Sequence, residues 1–266
     1  MRRALPLLCL ITLFLAGCAI GRPQPVSRTG FAFDTVIQVT VYDPEAIRSG
    51  AAESALNDCM ALASRYEALF STTREDSDIY RLNHADGAAV RVDPETVLLL
   101  QTALSYADQT DDLFNPLIGA LTSCWDFSAT TDRHVPDAQR ITEALLHVDP
   151  CCLTMDLSDQ TAPVLCLSDP AARIDTGGIA KGYIADRMKE TLVHQGINSA
   201  LINLGGNVLA IGGRPDDAPF RIGIRQPFGT ARETSDIISV NDRSVVTSGV
   251  YERYFEADGR RYHHIL

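Results

Sequence analysis

Residues 173–192 read RIDTGGIAKGYIADRMKETL, which places an acid, two adjacent glycines and a lysine directly before an amphipathic helix. Ile184, Met188 and Leu192 share one face of that helix, and Gly196 is a typical C-terminal stop. The two glycines therefore lie at the helix start, where free backbone N–H groups and the positive end of the helix dipole are presented. This pattern predicts a turn that allows another group to approach the backbone closely.

Lys181 is the most informative residue of this stretch. A cation in the first turn of a helix is unfavourable by about 0.3–1 kcal/mol unless an anion offsets the repulsion, and a bound phosphate would provide that anion. Gly177 and Gly178 give a ligand access to the backbone, and Asp175 can accept a hydrogen bond from a ribose, a ring N–H or a metal-bound water. The spacing matches neither a Walker loop nor a dinucleotide fingerprint. A phosphate-bearing ligand and a turn that only permits close packing both remain open.

The surrounding chain predicts an α+β fold with mixed or antiparallel sheets packed against helices. Asp93 followed by Pro94 marks the start of a helix, and residues 137–148 have a second helical pattern. Short runs rich in β-branched residues, bounded by turn residues, predict strands before and after the helix that follows Lys181. Asp258-Gly259 between alternating runs predicts a β-hairpin.

Two further features have more than one interpretation. The run INLGGN resembles a phosphate cradle, but glycines between two apolar runs more often form a hairpin turn, which we favour here. His263 and His264 are adjacent on a predicted strand, so their side chains should point to opposite faces. The one that faces a site would suit general-base chemistry, whereas a solvated strand histidine is the alternative.

Composition limits the classes of function. The chain has 266 residues, 45% of them hydrophobic, which is enough for one large domain or two small ones. The formal net charge is −11, and no cluster of lysine and arginine offsets it, so a nucleic-acid partner is not expected.

The N-terminus predicts export to the outer face of a bacterial membrane. Residues 1–17 form a signal peptide with two arginines and a short apolar run, and LAGC at residues 15–18 resembles a lipobox. Cys18 would then carry the lipid anchor, residues 18–29 a tether, and residues 30–266 the folded domain. An uncleaved anchor is the alternative.

The five cysteines after the signal have no regular spacing, so neither a disulfide framework nor a zinc site is predicted.

Several motifs together resemble the ApbE family of FAD:protein FMN transferases. The strongest are DTGGIAKGYIADR, INLGGN and SVVTSGVYERYFEADGRRYHHIL, with weaker likeness in FDTVIQVTVYD, FSTTREDSDIYRLN and DLFNPLIGALTSCWDF. The resemblance implies a T-fold-like flavin transferase architecture. It also implies that FAD binds with Mg²⁺ and that a Ser or Thr hydroxyl of an acceptor flavoprotein attacks the FMN phosphorus, which releases AMP.

The resemblance also implies roles for individual residues. His264 would be the catalytic base, and the backbone carbonyl of Gly178 would be a metal ligand. The positions that match flavin-contacting residues of the family are Asp175, Lys181, Phe33, Thr73, Leu113, Phe114, Asn115 and, through its backbone, Asn241. Phe33 stands where methionine is frequent, and Asn115 where aspartate is.

In the family, the HHIL segment continues into an Asp-Pro-x-Thr-Gly motif whose Asp and Thr complete the metal site. Leu266 stands one residue before that aspartate, so we expect a truncated chain with weakened Mg²⁺ binding. A non-catalytic FAD-binding lipoprotein and a Mg²⁺-dependent FAD pyrophosphatase are the alternatives to transfer. Nothing in the sequence identifies the acceptor, which would be a subunit of a sodium-pumping or Rnf-type redox complex or a similar FMN-binding domain.

Overall fold

The structure is a computed structural model that describes residues 23–125, 127, 134–230 and 233–265. The helices are α1 Pro44–Ser49, α2 Ala51–Phe70, α3 Asp78–Asn83, α4 Pro94–Gln109, α5 Gly119–Thr122, α6 Ala138–Ala144 and α7 Ala180–His194. The strands are β1 Val26–Ala32, β2 Thr35–Val41, β3 Val90–Arg91, β4 Leu153–Asp156, β5 Val164–Leu167, β6 Ala200–Leu204, β7 Asn207–Ile211, β8 Phe220–Arg225, β9 Thr234–Val240, β10 Ser244–Val246, β11 Tyr254–Ala257 and β12 Arg260–His263.

The largest sheet has five antiparallel strands in the order β1-β2-β6-β7-β10. Alternate residues of β2 and β6 are buried, so one face of the sheet packs against α2 and α7. Ile184, Met188 and Leu192 of α7 are fully buried in this core, which confirms the predicted apolar face. The α+β prediction is therefore confirmed, with sheets that are antiparallel rather than mixed.

A second core lies around a three-stranded antiparallel sheet, β3-β5-β4, which packs with α3 and α4. Leu100, Leu117 and Leu165 are fully buried there, and so is Ile174 at 1% exposure. Ala180, the first residue of α7, belongs instead to the core of the five-stranded sheet. Residues 175–179, which contain the two glycines of the opening motif, are therefore the connection between the two cores.

Two predicted hairpins are confirmed by their turn geometry. Gly205 and Gly206 join β6 to β7 with φ values of 60° and 91°, so the INLGGN run is a turn. Asp258 and Gly259 join β11 to β12 with φ values of 51° and 70°. Positive φ at both central residues is the geometry that matches the twist of a two-residue hairpin.

The start of the domain differs from the prediction. Strand β1 begins at Val26, inside the predicted tether of residues 18–29, and pairs with β2 from Val26↔Val41 to Ala32↔Thr35. Its apolar residues are few, so its own periodicity is weak and the pairing with β2 determines its structure. The predicted signal peptide and Cys18 lie outside the described residues, and none of the helices described is long and apolar enough to span a membrane.

The cysteines behave mainly as small apolar residues. Cys59, Cys124 and Cys152 are buried, Cys166 is half-buried and Cys151 is exposed, and all five are free thiols. Burial raises the pKa of the Cys59 thiol to about 12, so this group stays protonated and unreactive at neutral pH.

We predict that Gly205→Ala destabilises the protein more than Gly206→Ala does. Both glycines have positive φ, but a Cβ at position 205 would lie 2.1 Å from Oγ1 of Thr35, whereas at position 206 nothing lies within 4 Å. The overpacking should cost roughly 1–3 kcal/mol beyond the shared backbone strain. Urea unfolding of the two variants measures the difference. Equal free energies of unfolding would show that the turn relaxes around the clash.

Candidate active site

The loop before α7 is held in place by side chains that are distant in sequence. Asn83 is buried, and its Nδ2 donates to the carbonyl of Ile174 at 2.9 Å while its Oδ1 accepts from the Ile174 N–H at 2.7 Å. The hydroxyl of the buried Thr176 donates to the carbonyl of Phe70 at 3.0 Å, at the end of α2. These bonds fix the loop on both sides of Asp175.

Asp175 is oriented by three hydrogen bonds, two to its carboxylate and one from its backbone. Its Oδ2 accepts from the Thr122 hydroxyl at 3.0 Å, and its Oδ1 accepts from the Gly177 N–H at 2.8 Å. The backbone N–H of Asp175 donates to the carbonyl of Pro116 at 2.8 Å. Asp175 is therefore a pre-positioned, half-buried acceptor at the start of α7.

The start of α7 presents fewer free N–H groups than the sequence suggested. The N–H groups of Ile179 and Ala180 both donate to the carbonyl of Thr176, and the Gly177 N–H bonds to Asp175. Because these donors already have partners within the chain, the helix start by itself is a weaker anion site than predicted. The side chains around it therefore matter more for any anionic ligand.

Lys181 lies in the first turn of α7 and is half-buried. Burial lowers the pKa of its ammonium group, the nearby cation of Arg253 lowers it further, and the Asp175 carboxylate acts in the opposite direction. Within the described part of the chain, Lys181 makes no ion pair. A partly desolvated ammonium without a counter-ion is suited to receive an anionic ligand.

His264 lies one residue beyond β12, next to Arg253. Its backbone N–H donates to the Arg253 carbonyl at 3.0 Å, and its Nδ1 lies 3.2 Å from the same oxygen. A carbonyl only accepts, so this contact requires the proton on Nδ1 and leaves Nε2 with a free lone pair. Burial lowers the pKa of His264, and the cations of Arg253 and Lys181 lower it further, against the opposing effect of the hydrogen bond.

His263 differs from its neighbour in its surroundings. It is the last residue of β12, opposite Tyr254, and its Nδ1 is buried without a hydrogen-bond partner among the described residues. His264 is the histidine whose environment includes Lys181. The structure thus distinguishes the two adjacent histidines, and the catalytic role of His264 stays a prediction.

Residues 113–115 lie against the glycine loop. A Cβ on Gly178 would lie 2.9 Å from Cε2 of Phe114, so the absence of a side chain there lets the ring pack onto the loop. The side-chain amide of Asn115 bonds to the backbone on both sides: Nδ2 donates to the Val148 carbonyl at 2.8 Å, and Oδ1 accepts from the Leu117 N–H at 2.8 Å. Leu113 is 93% exposed, which leaves its side chain available to a ligand.

Phe33 and Thr73 lie near the end of α2, where the glycine loop is attached. Phe33 has φ +53°, which is unusual for a bulky residue, and its N–H donates to Oε1 of Glu67 at 2.7 Å. Thr73 is exposed, and its N–H donates to Oγ of Ser71 at 3.1 Å. Because Thr176 bonds to the carbonyl of Phe70, these two predicted contacts and the loop converge at one end of α2.

Asn241 is placed differently from the other predicted residues. The adjacent Asp242 pairs with Lys189 at 2.7 Å, and a rise of about 1.5 Å per residue puts Lys189 about 12 Å along α7 from Lys181. Asn241 lines an open cavity of about 520 Å³ together with Arg214. The structure does not bring it into contact with the glycine loop, and its flavin contact stays a prediction.

The described residues supply only part of a metal site. Among them, no group of three or more His, Cys, Asp or Glu side chains could hold an ion. The one carboxylate at the glycine loop, that of Asp175, already accepts bonds from Thr122 and Gly177. Mg²⁺ requires near-octahedral oxygen coordination, so these residues alone do not complete its ligand shell. The role of the Gly178 carbonyl as a metal ligand stays a prediction.

Sequence reasoning missed three residues of this site: Asn83, Thr122 and Arg253. Asn83 and Ile174 are 91 positions apart, and Thr122 and Asp175 are 53 apart, so no local pattern could pair them. An asparagine at the end of a short helix is an ordinary capping feature, which concealed its role. Arg253 lay within a quoted motif, but only the fold places it beside His264.

Comparison with known proteins agrees with this architecture. The family model described as "ApbE family" matches residues 33–266. The FAD:protein FMN transferase of Treponema pallidum is 36% identical over 94% of this chain and 73% of its own length, and one from Klebsiella pneumoniae is 40% identical over 77% and 62%. The crystal structure of the ApbE protein of Thermotoga maritima superposes with a TM-score of 0.79 at 32% identity, over 91% of this chain and 76% of that one.

These matches define the fold and the class of protein, since both curated relatives are named as flavin transferases. The chain belongs to the ApbE family. The resemblance drawn from its motifs is thereby confirmed. The chain spans 62–73% of the lengths of the two curated relatives.

We predict that Asn83→Ala destabilises the protein strongly. The change leaves both the N–H and the carbonyl of Ile174 without partners in a buried position, which should cost about 2–4 kcal/mol. Asn57→Ala is the matched control, because Asn57 accepts one bond from Arg28 at the exposed surface, where such changes usually stay within about 0.5 kcal/mol. Chemical denaturation measures both values. Equal losses would show that Asn83 does not fix the loop.

We predict that His264 titrates below the ordinary histidine range of about 6.5 and exists as the Nδ1–H tautomer. The neutral form then predominates at neutral pH, and protonation occurs only as the pH falls well below it. NMR of the imidazole nitrogens, assigned by the signal lost in His264→Gln, measures both properties. A pKa at or above the ordinary value, or a proton on Nε2, would contradict the geometry.

Proposed function

We propose that this protein transfers FMN from FAD to a Ser or Thr hydroxyl of an acceptor flavoprotein and releases AMP. The observation that supports this most is the grouping of Asp175, Lys181 and a neutral His264 at one end of α7. The names of the curated relatives support the same reaction. The proposal therefore rests on both the chemistry of the site and family membership.

The proposed step is a displacement at the FMN phosphorus of FAD. Nε2 of His264 takes the proton of the acceptor hydroxyl, and the hydroxyl oxygen forms a bond to phosphorus. The bond from that phosphorus to the bridging oxygen breaks, and AMP leaves with the electron pair. The Lys181 ammonium stabilises the negative charge on the phosphate oxygens as the bonds change. Asp175 accepts a hydrogen bond from the FAD and orients it.

Mg²⁺ is part of the proposal through the family resemblance. When bound, it would neutralise charge on the pyrophosphate, and the Gly178 carbonyl would provide one of its oxygen ligands. The described residues contribute an incomplete ligand set. Dependence of activity on added Mg²⁺, with loss on chelation, is the direct check.

The cellular setting is proposed from the N-terminal sequence. A lipid on Cys18 would tether the enzyme to the outer face of the bacterial cell membrane, extracytoplasmic or periplasmic, near membrane-bound flavoproteins. The acceptor would be a subunit of a sodium-pumping or Rnf-type complex or a similar FMN-binding domain. Metabolic labelling with a fatty-acid analogue, lost in Cys18→Ser, tests the anchor.

The activity test mixes the full-length gene product with FAD, Mg²⁺ and a candidate acceptor domain. Flavin fluorescence that survives a denaturing gel, with AMP released, supports transfer. FAD cleaved to FMN and AMP without labelling would instead indicate a pyrophosphatase. FAD that binds and stays intact across a panel of acceptors would indicate a non-catalytic flavin-binding lipoprotein.

We predict that His264→Gln and Lys181→Ala have different effects. His264→Gln should lower flavin transfer by about 10²–10⁴-fold and leave FAD affinity nearly unchanged, because it removes only the base. Lys181→Ala should weaken FAD binding itself by roughly tenfold or more. Lys189→Ala is the matched control on the same helix, since Lys189 pairs with Asp242. Fluorescence titration and a single-turnover assay separate binding from transfer. Loss of FAD affinity in His264→Gln would remove His264 from the role of base.

A further inference from the structure

Arg253 is the residue that links the β11–β12 hairpin to the start of α7. It precedes β11 directly, and its carbonyl accepts both the N–H and the Nδ1 contact of His264, at 3.0 and 3.2 Å. The positive charge of its guanidinium lowers the pKa of Lys181 and that of His264. Three basic groups thus converge beside the Asp175 loop.

The glutamates close to Arg253 in the sequence, Glu252 and Glu256, are paired with other arginines. Arg225 pairs with Glu252 at 2.8 Å, and Arg261 pairs with Glu256 at 2.8 Å. Arg253 and Lys181 have no such carboxylate within ion-pair distance in the part of the chain that the structure describes. Carboxylates are thus available at the hairpin, but they neutralise other arginines.

Two close cations without counter-ions repel each other, and the half-buried position of Lys181 reduces the screening by water. Asp175 offsets this only in part, because its carboxylate lies beyond ion-pair distance of both cations. A ligand with two adjacent negative charges would offset both cations at once. A pyrophosphate has this charge arrangement, and a guanidinium can bind two of its oxygens together.

We propose that Arg253 is a second cationic contact, with Lys181, to the pyrophosphate of FAD. This rests on the proposed function and extends it to a residue of the C-terminal motif to which the family resemblance assigned no role. The carbonyl of Arg253 holds His264, and its guanidinium holds the phosphate. Arg253 therefore determines the position of the base, His264, relative to the phosphorus. The hairpin thereby couples the binding of the nucleotide to the positioning of the base.

The test compares Arg253→Gln, Arg253→Lys and the control Arg260→Gln in their affinities for FAD and for riboflavin, which has the same ring but no phosphate. Arg260 is an exposed residue of β12, so Arg260→Gln removes the same charge from the same hairpin. Arg253→Gln should weaken FAD binding by about 10- to 100-fold, as expected for one charge-assisted contact, with riboflavin binding unchanged. The FAD affinity of Arg253→Lys should lie between those of Arg253→Gln and the wild type, and that of Arg260→Gln should equal the wild-type value.

Each outcome distinguishes the inference from the proposed function. If wild type binds FAD but Arg253→Gln binds it as Arg260→Gln does, Arg253 is not a phosphate contact. Equal losses for FAD and riboflavin would also overturn the inference, because the effect would then be on the fold or on the ring. No FAD binding by wild type would overturn the proposed function itself. If Arg253→Gln fails to fold, as judged by circular dichroism, a selective loss of FAD affinity in Arg253→Lys tests the same contact.

Discussion

The pairing of the Asn83 amide with the backbone of Ile174 is the constraint on which the site depends. Both bonds are buried, so neither backbone group of Ile174 can exchange its partner for water without a large cost. Ile174 lies in one core and Ala180 in the other, so the residues between them have little freedom once both ends are fixed. The direction of the Asp175 carboxylate and the start of α7 follow from this.

The charged groups beside the fixed loop determine which ligands and which chemistry it suits. Lys181, Arg253 and His264 lie together, and the carboxylate beside them is already committed to hydrogen bonds. In this setting the histidine remains neutral and basic at Nε2, while the two cations favour an anion. One arrangement therefore accounts both for a base at neutral pH and for affinity toward phosphates.

Local chemistry made part of this structure predictable from sequence. The turns at Gly205-Gly206 and Asp258-Gly259, and the apolar face of α7, depend on residues a few positions apart. The hydrogen bonds that fix the glycine loop do not depend on nearby residues, because Asn83 and Thr122 are distant from the loop in the sequence. Gly178 shows the difference: its sequence context suggested access for a ligand, but the structure places the ring of Phe114 against it. The first four residues of strand β1 were assigned to a tether because the strand's pairing partner, not its own pattern, determines its structure.

A crystal structure of the protein with FAD is the most direct test of the account that the glycine loop, Lys181 and His264 form one nucleotide site. If they form one site, the pyrophosphate lies beside Lys181, and Nε2 of His264 faces the FMN phosphorus. A pyrophosphate bound in the cavity near Arg214 and Asn241, with the glycine loop free of ligand, would contradict it.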